Sequence, residues 1–91
     1  MRIRHDVDGH RFLGETPSGT AVLAYAPAGV GALELYSTFV PEADRGQGLG
    51  GQLVQAAVVF ARERGLRIIP TCWYVAGWIA AHPEHSDLLE P

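Results

Sequence analysis

The 91-residue sequence holds a single cysteine, Cys72, so it has no internal disulfide framework. It lacks any apolar run near ~18 residues, and no charged-then-apolar leader opens it. Neither a membrane span nor a secretory signal is therefore expected, and the thiol is expected to stay reduced in a cytoplasmic setting. Positive charge is also scarce. Seven basic against ten acidic residues leave a net charge of −3, which argues against nucleic acid as a partner. Arg62, Arg64 and Arg67 are the one basic cluster; Glu63 interrupts it, and a solvated helix end accounts for it. No repeat, low-complexity tract or domain-separating linker is present.

What is present suits one folding unit, residues 1–91. Apolar residues make up 47% of the chain, enough for a core, although a domain of this size buries only roughly 60–65% of its unfolded surface. Asp8-Gly9, Pro17-Ser18-Gly19 and Pro27-Ala28-Gly29 are turn signals about ten residues apart. They separate segments of strand character, His10–Glu15, Thr20–Ala26 and Ala32–Val40, which predict an antiparallel meander. In the third, alternation places Leu33, Leu35 and Phe39 on one face with Ser37, and Glu34, Tyr36 and Thr38 on the other. From Leu49 the period becomes helical, with Leu49, Leu53, Ala56, Ala57 and Phe60 on one face and a stop at Gly65. Residues 67–72 predict a short strand, in an edge or splayed position because of Pro70. A last helix runs from Tyr74 to about His82, before Pro83. The expected fold class is α/β (α+β): a mixed, mostly antiparallel sheet in the order β-β-β-α-β-α.

The clearest chemical signal is the segment from Val40 to Gly50, which follows a strand, opens a helix and contains Arg45-Gly-Gln-Gly-Leu-Gly50. The first N–H groups of a helix have no intrahelical partner, and with the helix dipole they form an anion site. Gly46, Gly48 and Gly50 present no side chain to hold a phosphate away, and Arg45 adds a permanent charge. Gly46, Gly48 and Gly51 also satisfy the dinucleotide fingerprint, but no acid follows in residues 66–72 to take a ribose hydroxyl. A Walker loop needs Gly-Lys and then Ser or Thr, which this loop lacks.

Arg45, Gly48 and Gly50 fit the acyl-CoA loop of the GNAT superfamily of N-acyltransferases, and Val40-Pro41 is its customary lead-in. Pro70-Thr71-Cys72 and His82-Pro83-Glu84 extend the likeness over nearly the full length, and the chain resembles a minimal, stand-alone short-chain subgroup of that superfamily. The resemblance implies acetyl-CoA as co-substrate, with its pyrophosphate wrapped by Arg45, Gly46, Gln47, Gly48, Leu49 and Gly50. It also implies that the backbone around Phe39 and Val40 bonds the pantetheine arm where two strands splay. The implied activity is acetyl transfer to an amine acceptor of unknown identity, a small molecule or a protein. The chain lacks the extra helices between the first strands that roof the acceptor site in larger members, which implies an open site.

Two residues are expected to carry the chemistry. Glu34, on the polar face one strand before the loop, is the best-placed carboxylate for a base; an exposed strand acid is the plainer account. Cys72 stands where the subgroup carries cysteine, ahead of a helix N-terminus that would lower its pKa, and it would accept the acetyl group; a small core residue is the alternative. Tyr74 falls where many members place an acid for the departing thiol; an aromatic packing beside Trp73 and Trp78 is the plainer account. Ser37-Thr38 stands where the subgroup commonly has His-Thr, so a mechanism built on that histidine is not expected. His82 and His85 have no third partner, and no metal is expected. The alternative to an enzyme is a non-catalytic CoA-binding module, or an interaction domain using Trp73, Trp78 and the acidic C-terminal tail. A monomer or a homodimer would suit either.

Overall fold

The turn signals of the first half do separate strands. The computed structural model describes residues 1–89, so Glu90 of the expected acidic tail lies outside the described residues. Five strands form one sheet in sequence order: β1 (Ile3–Asp6), β2 (Arg11–Thr16), β3 (Gly19–Ala28), β4 (Ala32–Phe39) and β5 (Arg67–Ile69). The first four are antiparallel neighbours, and β5 runs parallel to β4 after the crossover through α1 (Leu49–Arg64). A second helix, α2 (Trp73–Ala80), follows β5 and leads into a 3-10 segment, Pro83–Leu88. The mixed, mostly antiparallel α/β class is as expected. None of the helices among the described residues is long and apolar enough to cross a membrane.

Leu53 and Ala57 of the expected α1 face, together with Val54 and Val58 from outside it, pack into a core with Leu23, Leu35 and Ile68 of the sheet and Val75 and Ile79 of α2. All nine are essentially excluded from solvent. Each large aliphatic side chain among them stabilises the fold by roughly 1.5–3 kcal/mol. α1 ends at the expected glycine. Gly65 is left-handed (φ 66°), its N–H reaches the Arg62 carbonyl at 3.3 Å, and the Leu66 N–H reaches Ala61 at 2.8 Å, a Schellman closure.

Two features depart from the expected pattern. First, β1 adds a strand ahead of the expected three. It carries little apolar signal, because Ile3 and His5 are the residues it turns inward. His5 stacks on Phe12 at 4.1 Å, meets Phe60 edge-on at 4.5 Å, and its Nε2 lies 2.6 Å from the Tyr25 hydroxyl. Second, β4 carries a bulge. Leu35 pairs with Tyr25 and Ser37 with Ala24, so Tyr36 is an extra residue with no partner on β3. Beyond it the alternation inverts. Thr38 pairs with the fully buried Leu23 and shares the face of Leu33 and Leu35, whereas Phe39 pairs with Val22 and is half exposed on the opposite face. The placement of Phe39 with Leu33 and Leu35, and of Thr38 with Glu34, is thereby corrected.

His5 gives the fold a pH dependence of calculable sign. Burial, and then the positive charge of Arg64, hold its imidazole pKa below the ordinary value, against the opposing pull of Asp6. The unfolded ring therefore binds a proton at a higher pH than the folded one. The stability it contributes is complete above about pH 6.5 and is lost as pH falls through that value towards the folded pKa. Thermal melts are expected to show Tm falling between about pH 7 and pH 5, and a His5→Phe variant to flatten that slope.

Candidate functional site

Strand pairing between β4 and β5 covers Ala32–Glu34 against Arg67–Ile69 and then stops. Past that point the two chains part. A backbone bond still crosses the gap, from the Cys72 N–H to the Leu35 carbonyl at 3.0 Å. The parting leaves a cavity of about 490 Å³ between the end of β4, the glycine loop and the start of α2. Thr38 and Val40 line it from the strand, Arg45, Gly46, Gly48, Leu49 and Gly50 from the loop, and Cys72, Trp73 and Tyr74 from α2, with Asp44 beneath.

The loop is shaped by its glycines for two separate reasons. Gly46 (φ 83°) and Gly48 (φ 78°) are left-handed, a conformation costly for any residue with a Cβ. Gly50 has ordinary dihedrals, but a Cβ there would sit 2.9 Å from the Tyr74 hydroxyl; one on Gly51 would sit 2.9 Å from the Trp78 indole nitrogen. The first pair bends the loop, and the second pair lets the α2 aromatics lie against the start of α1. Gly48 caps α1 without a side-chain bond to its first turn. The leading N–H groups are thus left to a ligand or water.

Arg45 and Asp44 hold this loop to the sheet. The Arg45 Nε donates to the Val40 carbonyl at 2.8 Å, and its guanidinium lies 5.9 Å from the centre of the Phe39 ring. Asp44 is buried and accepts from the Ser18 N–H at 3.0 Å and the Ser18 hydroxyl at 3.3 Å, which ties the loop to the β2–β3 turn. The Thr16 hydroxyl, against the upward push of burial and together with the Ser18 donors, holds the Asp44 carboxyl below the usual carboxylate range. Its folded pKa lies below its unfolded one, so the stabilisation is present above about pH 4 and is lost as pH falls through the folded value. Asp44→Asn is expected to lower Tm at neutral pH and to make its decline below about pH 4 shallower, a comparison made by melting both proteins across that range.

Cys72 stands at the N-terminal boundary of α2 and is 9% exposed. Its Sγ lies 3.6 Å from the Thr38 hydroxyl. Burial pushes the thiol pKa up, but the Val75 N–H, the Thr38 hydroxyl and the Tyr74 N–H outweigh it, and the net displacement is downward. The bulge at Tyr36 makes this contact available, since it turns Thr38 to the Cys72 side.

The expected site residues thus fall into two groups. Val40, Arg45, Gly46, Gly48, Leu49, Gly50 and Cys72 line one cavity. Gln47 is exposed and the Phe39 side chain faces elsewhere, so neither forms part of the wall. Glu34 is not brought there: its carboxylate accepts a 2.6 Å bond from the Thr71 hydroxyl, and it contributes nothing to the wall. Ser37 pairs with Ala24 and is exposed. Thr38, Asp44 and Trp73 line the cavity without having been singled out for it. The bulge hid Thr38, and Asp44 depends on contacts 26 residues away.

A shallower groove continues from Gly48 along α1, between Gly51, Gln52, Gln55, Tyr74 and Trp78. His82 stacks on Trp78 at 3.9 Å with its Nδ1 2.7 Å from the Trp78 carbonyl, and His85 meets Arg62 at 3.3 Å. These are packing contacts at the end of α2. Among the described residues no cluster of His, Cys, Asp and Glu is arranged to hold a metal ion.

A family model described as GCN5-related N-acetyl-transferase matches residues 11–88. Protein NATD1 of Bos taurus is 33% identical over 95 residues, covering the whole of this chain and 84% of that protein. Protein NATD1 of Danio rerio is 34% identical over 92 residues, covering 99% of this chain and 83% of its own length. The NMR solution structure of a GCN5-like protein from Staphylococcus aureus superposes with a TM-score of 0.78 at 24% identity, over 98% of this chain and 87% of that one. At that identity the likeness speaks for the fold.

Proposed function

The chain belongs to the GCN5-related N-acetyltransferase family, and we propose from that premise that it transfers the acetyl group of acetyl-CoA to an amine. The observation that carries the reading is the single cavity joining the helix-capping glycine loop to the thiol of Cys72. A pyrophosphate fits the loop end, where α1 offers unpartnered N–H groups and Arg45 offers its outer guanidinium nitrogens. The pantetheine arm fits the gap between β4 and β5, which leads the thioester to Cys72. The nucleotide end fits the groove along Gln52, Gln55 and Trp78.

In this reading the Cys72 thiolate adds to the acetyl carbonyl, the carbon–sulfur bond to CoA breaks, and the departing CoA thiolate takes a proton from the Tyr74 hydroxyl. The neutral amine then attacks the Cys72 thioester, and the proton it sheds returns through water to the Tyr74 phenolate. The amide leaves, and the thiolate is restored. Glu34 enters as an anchor: through Thr71 it fixes the turn that carries Cys72. The low exposure of Cys72 favours a second reading, direct attack of the amine on acetyl-CoA with Cys72 as a packing residue.

Titration calorimetry with acetyl-CoA, followed by an assay of CoA thiol release in the presence of amines, tests the proposal. Saturable binding with turnover supports it. Binding without turnover across varied amines leaves a CoA-binding module, and no binding refutes the whole reading.

A further inference from the structure

The cavity wall has one aromatic side chain that the acyl-CoA reading leaves unused. Trp73, the first residue of α2, lines the cavity beside Cys72 yet is 83% exposed, with Tyr74 against it edge-on at 6.1 Å. An indole left in water at a helix start forgoes much of the stabilisation that burial of so large a side chain supplies. Trp78, on the same helix, is by contrast stacked on His82 at 3.9 Å.

The rest of the wall narrows what such a ring can recognise. The one acid lining the cavity among the described residues is Asp44, and its oxygens already accept from Ser18. The one cation lining it is Arg45, committed through Nε to Val40 and standing at the loop end. A polyamine would find no free carboxylate there, and an amino acid or aminosugar would find few polar partners. An indole face instead attracts an ammonium group and covers an apolar stem. We infer that Trp73 is the acceptor platform, and that the acceptor is a primary amine on an apolar stem, either a free alkyl or arylalkyl amine or the side chain of a protein lysine. The inference rests on the acyl-CoA reading of the same cavity and adds the acceptor class to it.

The experiment compares wild type, Trp73→Ala and Trp73→Phe in acetyl-CoA calorimetry and in thiol-release assays. The probes are phenethylamine, n-butylamine and a lysine-containing peptide on one side, and spermidine, glucosamine and glycinamide on the other. Wild type is expected to favour the apolar-stem set by roughly tenfold or more in kcat/KM; preference for the free amines over the peptide, or the reverse, identifies the source. Trp73→Ala is expected to raise the KM of those amines by roughly fivefold or more while the acetyl-CoA Kd stays within about twofold, and Trp73→Phe to restore most of the loss. Preference for the polar set, an unchanged amine KM in Trp73→Ala, or an equal loss of acetyl-CoA affinity overturns the inference. So does failure of every apolar-stem amine in a protein that still binds acetyl-CoA, an outcome that leaves the cofactor reading standing. Absence of acetyl-CoA binding to wild type removes both.

Discussion

A protein carrying Arg45→Ala and Gly48→Ala together is expected to bind acetyl-CoA about two to three orders of magnitude more weakly than wild type, with its helical circular dichroism unchanged. Two losses combine. Arg45 lines the cavity with its Nε held by the Val40 carbonyl, which leaves its two outer nitrogens uncommitted to that bond. A charge-assisted bond from such a group contributes roughly 1.5–3 kcal/mol. Gly48 is left-handed at φ 78° with nothing within 4 Å of its missing Cβ, so alanine there meets conformational strain and no clash. A left-handed alanine costs roughly 1–2 kcal/mol, and the free loop relieves it by leaving the geometry that presents the N–H groups. Binding must then restore that geometry. Arg45→Lys separates the two effects: it keeps the charge but cannot grip Val40 and the ligand with one planar fork, so an intermediate affinity is expected. Equal binding by wild type and the double variant would remove the pyrophosphate from this loop.

The legible parts of this molecule were those set by local chemistry. Glycine and proline spacing marked β2, β3 and β4, the change to helical period marked α1, and Gly65 marked its end, because each is a short-range conformational preference. The shape of the glycine loop was legible for the same reason: Gly46 and Gly48 declare a backbone that other residues resist. What escaped the sequence depends on distant partners. The extra residue at Tyr36 leaves no local trace, since Ala32–Phe39 reads as continuous alternation; only the pairing with β3 reveals that Ser37 lies opposite Ala24. From that one bulge follow the outward turn of Phe39 and the inward turn of Thr38. Asp44 reads as a solvated acid until Ser18 is folded against it. Glu34 read as a base from its polar face, but the face of a strand fixes direction and leaves position along the strand open. Glu34 lies near the start of β4, away from the loop, and its carboxylate is taken by Thr71.

Incubated with acetyl-CoA and no acceptor, the protein is expected to gain one acetyl group that neutral hydroxylamine removes, and Cys72→Ala to gain none. The chain contains no lysine, so a labile acetyl group has few other homes, and hydroxylamine distinguishes a thioester from an amide on the N-terminal amine. Amine acetylation by Cys72→Ala is expected to fall by about two to three orders of magnitude, the scale on which loss of a covalent nucleophile is felt when the rest of the site stays intact. Near-wild-type turnover in that variant would instead establish direct transfer. Thr38→Val gives an independent check that leaves the sulfur in place and nearly preserves side-chain volume. The Thr38 hydroxyl lies 3.6 Å from the Cys72 Sγ and is one of the groups that lower its pKa. Removing that donor destabilises the thiolate and not the thiol, so the variant's thiol pKa rises. The rate of acetyl loading follows the thiolate fraction, and the inflection of its pH profile is therefore expected to move to higher pH in Thr38→Val, with the two proteins converging at the alkaline end. A change of plateau without a change of inflection would make Thr38 a packing residue. A shifted inflection would tie the bulge at Tyr36, through the side chain it turns inward, to the reactivity of the thiol.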